Sequence, residues 1–458
     1  MMQEVAATAF LPVSEDSLAL VFANEFHERA RFDHDSGKWF IWDGNRWRRN
    51  KTLLAVEWCR NVCRNAAAID DSAAKVLGRY ATVAGVEKLA RTDERMSVTA
   101  EIFDKDPWLL GTPDGVLDLR DGSMRRADPG DFITRLAGTS PAAAGTKPEL
   151  WLKFLHEATG GDQKYIDYLQ EISGYCLSGK TTEHALFFIY GPGGNGKSVF
   201  LNVLRGILGE YAVTSPIDTF MATRTPQHST DIAMLAGARL VTASETDSGR
   251  QWAEAKVKSL TGGDPISARF MRQDNFTFLP QFKLLIAGNH KPSLRTVDEA
   301  NRRRFRLLPF TVTPANKDTE LEEKLKVEWP AILRWMVEGC LQWQAEGLSP
   351  PEQVSAATAQ YFADQDSLSQ WLDERCERNS PELLEAGIHS SMVSCGSSVL
   401  FADWKSWCDA NGENAGTNKS FSEMLERHGF LKKPTKNGKF FYGVALKPKN
   451  EDDRRYGN

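Results

Sequence analysis

Gly191-Pro-Gly-Gly-Asn-Gly-Lys197-Ser198 matches the pattern G-x-x-x-x-G-K-[ST] at every fixed position. Each position has a physical task. Glycines lack a Cβ, so the backbone can bend tightly and point successive N–H groups at phosphate oxygens. A lysine closing the loop reaches the β- and γ-phosphates, and the hydroxyl after it sits on Mg²⁺. Gly191, Pro192, Gly193, Gly194, Asn195, Gly196, Lys197 and Ser198 are therefore the candidate residues for binding ATP and Mg²⁺.

The flanks support the reading. Ala185-Leu-Phe-Phe-Ile-Tyr190 is a short apolar run expected to form a buried strand. Val199 to Leu208 carries apolar residues at helical spacing and is closed by Gly209. Strand, glycine loop and helix together put the phosphates at a helix N-terminus, where the dipole and free N–H groups favour anions.

Such a loop needs a carboxylate to hold the metal and activate water. Arg239-Leu-Val-Thr-Ala-Ser-Glu245 is a β-rich run ending in an acid, and strand ends are where ligands bind in open α/β sheets. Glu245 is the candidate for metal and base, Asp247 a weaker second acid. A third strand, Phe282 to Ala287, leads into Gly288-Asn289-His290, and Asn289 is placed to orient the lytic water. Asn301-Arg-Arg-Arg-Phe-Arg306 offers a guanidinium cluster, from which a neighbouring subunit's arginine finger can come.

The bulk numbers set outer limits. The chain has 458 residues, which suggests about three domains. Hydrophobic residues make up 41% and charged residues 26%, as in soluble globular proteins. No apolar run has membrane-spanning length, and Met1-Met-Gln-Glu-Val lacks a signal-peptide pattern, so a cytoplasmic location in a bacterial host cell and no membrane partner are expected. A net charge of −5 means that any DNA contact must come from local basic patches. The seven cysteines are scattered, and Cys59 and Cys63, spaced for one helix face, read as reduced, buried thiols.

Three regions are expected: 15–148 as an α+β domain, 149–347 as an α/β sheet domain, and 352–448 as a helical domain ending in a hairpin. In the first, Lys38 to Arg48 turns at Asp43-Gly44-Asn45, a helix covers about Leu53 to Ala68, and Gly115 to Leu119 starts a second hairpin. In the last, Ser420-Phe-Ser-Glu423 fits a capping box opening a helix to His428. Two strands about Asn437-Gly438 follow, as in a winged helix.

The order of these motifs, with Lys258-Ser-Leu-Thr-Gly-Gly-Asp264 between them, resembles helicase superfamily III. The best likeness is to the phage/plasmid primase–helicase family, which includes the poxvirus replicative helicase–primases. The Trp39–Trp47 hairpin and the Asp114–Leu119 segment resemble that family's N-terminal helicase-associated domain, and the basic hairpin tail its C-terminal winged helix. The resemblance implies an α/β fold with an AAA+-like P-loop ATPase core. It implies a ring, usually a homo-hexamer, translocating 3′-to-5′ on single-stranded and forked DNA in replication. By the same resemblance Lys197 and Ser198 bind ATP and Mg²⁺, Glu245 is the catalytic acid, Asn289 the sensor, and Arg303 the finger with Arg304 as its rival. The family often has an aromatic where Arg302 stands, and the strand ends in one acid rather than a pair.

A hairpin lining the pore is expected between Ile266–Arg269 and Phe276–Phe278 with its tip at Phe270–Asn275; Arg269, Arg272 and Lys258 are the candidate DNA contacts. Asp33-His34-Asp35 has the acid spacing of a primase site but sits in a domain that looks too short for one. The chain therefore reads as a stand-alone helicase, or one working with a separate primase or other replication proteins. Two other readings compete: an ATP-dependent origin-binding initiator that melts DNA without processive unwinding, and a nucleotide-gated scaffold.

Overall fold

The computed structural model describes residues 13–70, 72–223, 230–245, 249–272, 274–295, 297–314, 318–379, 393–413, 415–436 and 438–448. Asp247 and the turn residue Asn437 lie outside them. Contacts divide the chain into two units, 1–358 and 359–458, the division falling within the helix Glu352–Gln365. Among the described residues no helix is long and apolar enough to cross a membrane.

The centre of the larger unit is a parallel sheet of five strands: β1 (Leu186–Tyr190), β2 (Ala212–Thr214), β3 (Leu240–Glu245), β4 (Lys283–Gly288) and β5 (Phe305–Pro309), in the order β5-β1-β4-β3-β2. β1 and β4 are nearly continuous apolar runs because both their faces are covered. The helix after the glycine loop, α1 (Lys197–Leu208), turns Phe200, Leu201, Val203, Leu204, Ile207 and Leu208 inward and stops at Gly209, whose φ is 53°. The helices Gln163–Leu177 and Trp329–Glu346 cross where Gly174 and Gly339 meet; a Cβ on Gly174 would collide with the backbone of Cys340.

Ahead of the sheet, helices Glu15–Phe26, Leu54–Ile69 and Tyr80–Ala90 accompany a small sheet in which Lys38–Trp42 and Trp47–Arg49 form the expected hairpin. Trp39 is buried there and donates its indole N–H to Glu87 at 2.6 Å. Cys59 and Cys63 are both buried on the second helix, and burial pushes both thiols above their ordinary pKa. Asp33 accepts the backbone N–H groups of Asp35 and Ser36 and so stabilises its turn, and Asp35 accepts the N–H of Ala100, 65 positions on. The Gly115–Asp118 strand is the middle of a three-stranded meander with Leu109–Thr112 and Ser123–Arg125.

At the lower ends of β3 and β4 two cations are buried without a carboxylate. Arg239 donates to the carbonyls of Leu177 and Leu109 at 2.6 Å each, and its guanidinium lies 4.6 Å from the centre of the Tyr211 ring. Lys283 donates to the carbonyls of Ser178, Lys180 and Gln281 and lies 4.7 Å from the centre of the Tyr175 ring. Leu177 and Ser178 end the helix Gln163–Leu177, so these cations meet the negative end of its dipole. Burial pulls the Lys283 pKa down to about 7.

The smaller unit packs Trp371, Trp404, Phe421 and Phe441 among helices Ser367–Arg375, Ser397–Asn411 and Asn418–Arg427. A three-stranded sheet joins Ser394–Gly396, Gly438–Tyr442 and Leu431–Thr435 in that order. The last helix starts earlier than Ser420: Thr417 is its N-cap, and Ser420 is the partner that completes the box. Gly416, at φ 68°, turns the chain in ahead of it. The final strand is likewise broken, by Gly443 at φ 91°.

Candidate functional site

β1 ends at Tyr190 and the glycine loop begins at Gly191, with φ 154°. A side chain there would collide with the carbonyl of Phe310, the residue after β5. Only glycine therefore lets the loop leave the sheet along this path. Gly194 and Gly196 also have positive φ, 78° and 89°. At Gly193, in contrast, a Cβ would meet nothing within 4 Å, so the crest of the loop is open.

Asn195 is buried and ties the loop down: its Nδ2 donates to the Phe310 carbonyl, and its Oδ1 accepts from Lys197 Nζ at 3.0 Å. Lys197 Nζ also donates to the carbonyls of Gly191 (2.7 Å) and Pro192 (3.0 Å). Lys197 is only 7% exposed, and this burial lowers its pKa. All its acceptors are neutral, so an incoming anion is the better partner for the ammonium. α1 begins at Lys197 with Gly196 as N-cap and no side-chain cap, which leaves its first N–H groups available. Ser198 is exposed on that first turn. A phosphate chain with its metal fits these donors and this open crest.

Register brings the next two candidates to the same end of the sheet. Glu245 pairs with Gly288, and Gly288 pairs with Tyr190. The ends of β1, β3 and β4 are thus level, and Asn289, exposed, follows directly. Sequence reading missed Lys291, whose ammonium lies 4.3 Å from the centre of the Tyr190 ring. It adds a positive charge beside the root of the loop; an isolated lysine in a polar turn gives no signal of that.

The arginines are elsewhere. The helix Glu299–Arg304 runs into β5, whose first residue, Phe305, pairs with Leu186 at the start of β1. Strand rise is about 3.3 Å per residue, so Arg303 and Arg304 sit roughly 13 Å or more below the loop end of β5. Arg303 is exposed and has no side-chain partner among the described residues. Arg304 is half-buried and donates back to the carbonyl of Ala300 at 2.9 Å. Asp298 caps this helix through the Asn301 N–H at 2.7 Å and holds Lys258 Nζ at 2.8 Å. Burial alone would raise the Asp298 pKa; the Lys258 ammonium and the Asn301 N–H hold it below its ordinary value. Lys258 thus makes an ion pair that supports the arginine helix.

The expected hairpin is present, with Ile266–Ala268 antiparallel to Phe276–Phe278. At its tip Arg272 is exposed with φ 62°, a conformation rare for a side-chain-bearing residue. Arg269 already has a partner. Phe270 stacks on Phe276, with ring centres 5.7 Å apart and planes 16° apart.

Residues 19–160 match a family described as D5 N terminal like, and residues 189–304 match DUF5906, a family of unknown function. The chain is 28% identical over 233 residues to "Putative helicase L207/L206" of Acanthamoeba polyphaga mimivirus, covering 49% of this chain and 24% of that protein. It is 25% identical over 304 residues to "Putative helicase 022R" of Frog virus 3 (isolate Goorha), covering 61% and 30%. The chain thus spans only 24% and 30% of the length of these two curated relatives. In fold it is similar to the A form apo structure of the NrS-1 C terminal region, with a TM-score of 0.53 at 10% identity over 95% of this chain and all of that one. These matches bear out the likeness to viral proteins named as putative helicases, and the solved structure adds a likeness of fold.

Proposed function

We propose that this relative of viral helicases is an ATP-dependent DNA helicase of replication. In this reading the larger unit carries a P-loop ATPase core of AAA+ type and the smaller unit is a winged helix. The observation that carries the reading is the level alignment of Tyr190, Glu245 and Gly288, which sets the glycine loop, an acid and Asn289 at one end of a parallel sheet.

The loop N–H groups and Lys197 hold the nucleotide phosphates, and Ser198 and Glu245 hold Mg²⁺. The metal, when bound, neutralises phosphate charge. Glu245 orients the attacking water and accepts its proton, and Asn289 holds that water in line. Arg303 stands too far below its own loop to reach it, so it acts on the loop of an adjacent copy. A closed ring of identical subunits, a homo-hexamer by family likeness, supplies that arrangement. Arg272, at the hairpin tip, contacts the single strand as the ring moves 3′-to-5′.

The test is ATP-dependent strand displacement on matched duplexes bearing a 3′ or a 5′ single-stranded tail, with Lys197→Ala as control. Unwinding from the 3′ tail alone is expected. Hydrolysis without displacement on either tail would overturn the helicase reading in favour of an origin-melting initiator.

A further inference from the structure

β4 ends at Gly288, opposite Tyr190 of β1. The chain then turns sharply. A Cβ on Gly288 would stand 2.7 Å from the Phe188 ring and 3.1 Å from the carbonyl oxygen of His290, so the turn folds back over the strand end. Beyond it the backbone is pinned again. Ser293 donates its N–H to the Arg250 carbonyl at 2.8 Å, and its own carbonyl accepts from the Trp252 N–H at 3.0 Å. Asn289 to Pro292 thus form a short turn fixed at both ends. It brings Lys291 across to the neighbouring strand, where the ammonium lies 4.3 Å from the centre of the Tyr190 ring. Tyr190 is the residue directly before the glycine loop.

Lys291 is half-buried, and among the described residues it forms no ion pair and no hydrogen bond. A ring face is a weak and neutral holder for an ammonium group. A phosphate oxygen is the stronger partner, because both members then carry charge. Arg250, which adjoins the far end of the turn, is already engaged by Asp218. Arg303 and Arg304 lie at the opposite end of the sheet. Lys291 therefore joins Lys197 as a cation that the chain brings to its own loop.

We propose, on the premise that the loop binds ATP, that Lys291 leaves the Tyr190 ring to pair with the terminal phosphate and so distinguishes a nucleoside triphosphate from a diphosphate. Lys197 reaches the β-phosphate as well as the γ-phosphate, so ATP and ADP share its contribution. Lys291 comes from the strand end that carries Asn289, on the side of the attacking water. Its four-carbon stem is flexible, so the ammonium exchanges the ring for an oxygen while the pinned backbone stays in place. The contact exists only while the third phosphate is attached, and hydrolysis returns the lysine to the ring.

The experiment is calorimetric titration of the full chain with ATPγS and with ADP, each in the presence of Mg²⁺. Lys291→Met is expected to bind ATPγS about tenfold more weakly and to keep ADP within about twofold of the parent. Lys291→Arg retains the charge and should hold the ratio of the two affinities within about threefold of the parent ratio. Tyr190→Leu removes the resting place and should tighten ATPγS by about threefold relative to ADP. Each readout is a ratio between two ligands on the same folded protein, so a loss of stability does not imitate it. Lys197→Ala should weaken both nucleotides and so marks a working site. A parent-like ratio in Lys291→Met, with both nucleotides weakened in Lys197→Ala, would overturn the role of Lys291 and leave the ATP site standing. Loss of ATPγS and ADP by equal factors in Lys291→Met would overturn it too, and would assign the lysine to the shape of the loop. Parent-like binding in Lys197→Ala, or no binding of either nucleotide by the parent, would overturn the site itself and this role with it.

Discussion

Lys197 and Lys283 are buried ammonium groups at opposite ends of the same parallel sheet, and among the described residues each is held only by neutral oxygens. They differ in what surrounds them. Lys197 sits at the start of a helix, in a loop whose crest is open at Gly193. Lys283 sits at the end of a helix, buried against the Tyr175 ring. The first environment gathers anions; the second completes a set of orphan carbonyls. A buried lysine with a lowered pKa is thus no mark of function by itself, and the polarity of the nearest helix end separates the two cases.

The comparison is broken most directly by exchanging the lysines for apolar residues. Lys197→Ala should lower ATP hydrolysis by about 10³-fold, since stabilisation of the developing phosphate charge is lost. Lys283→Met should leave the rate within about threefold. Equal losses in a steady-state assay would remove the distinction. A contrast of the same kind, between a free and an engaged cation, exists in the arginine helix. Arg303→Ala should reduce hydrolysis by about 10²-fold and leave nucleotide binding intact, whereas Arg304→Ala should act mainly on stability. Mixing Arg303→Ala with Lys197→Ala subunits should restore part of the rate, and a rate no higher than that of the separate proteins would deny a shared site.

The smallest effect is the pH response of Lys283. Its folded pKa of about 7 lies below its unfolded value, so between those values the unfolded chain binds the extra proton. Stability should therefore rise with pH above 7, by on the order of 1 kcal/mol per unit, up to the unfolded value near 10. Below 7 both states are protonated and the cost of burying the charge is fully present. Thermal melts from pH 7 to 9 should show the rise in the parent chain and a flatter response in Lys283→Met. An identical slope in both would mean that Lys283 is not the group responsible.

These contrasts also show what the amino-acid order reveals. The glycine loop is legible because every one of its tasks is local: a tight turn, a donor array, one ammonium and one hydroxyl within eight positions. The Trp39–Trp47 hairpin is legible through Asp43-Gly44, and β1 and β4 through their unbroken apolar runs. Lys283 reads as an ordinary residue at the head of a strand, because the carbonyl of Ser178 that holds it lies 105 positions away. The Leu109–Thr112 strand, the role of Asn195 against Phe310 and the position of Lys291 over Tyr190 are hidden for the same reason. Thr417 is hidden because Ser420 offers a similar box three residues on, and the reciprocal hydrogen bonds between Thr417 and Ser420 decide between them.

The reach of Arg239 has a consequence for how the chain acquires its shape. The two carbonyls it grips belong to residues 130 and 62 positions earlier. Closing such wide loops delays their reward until late in folding. On the ribosome, Leu109 and Leu177 emerge before the strand that will join them, so the amino-terminal half must persist partly assembled until β3 arrives. During that interval the lower edge of the sheet is unfinished, and the time for which it stays so is set by the rate of translation.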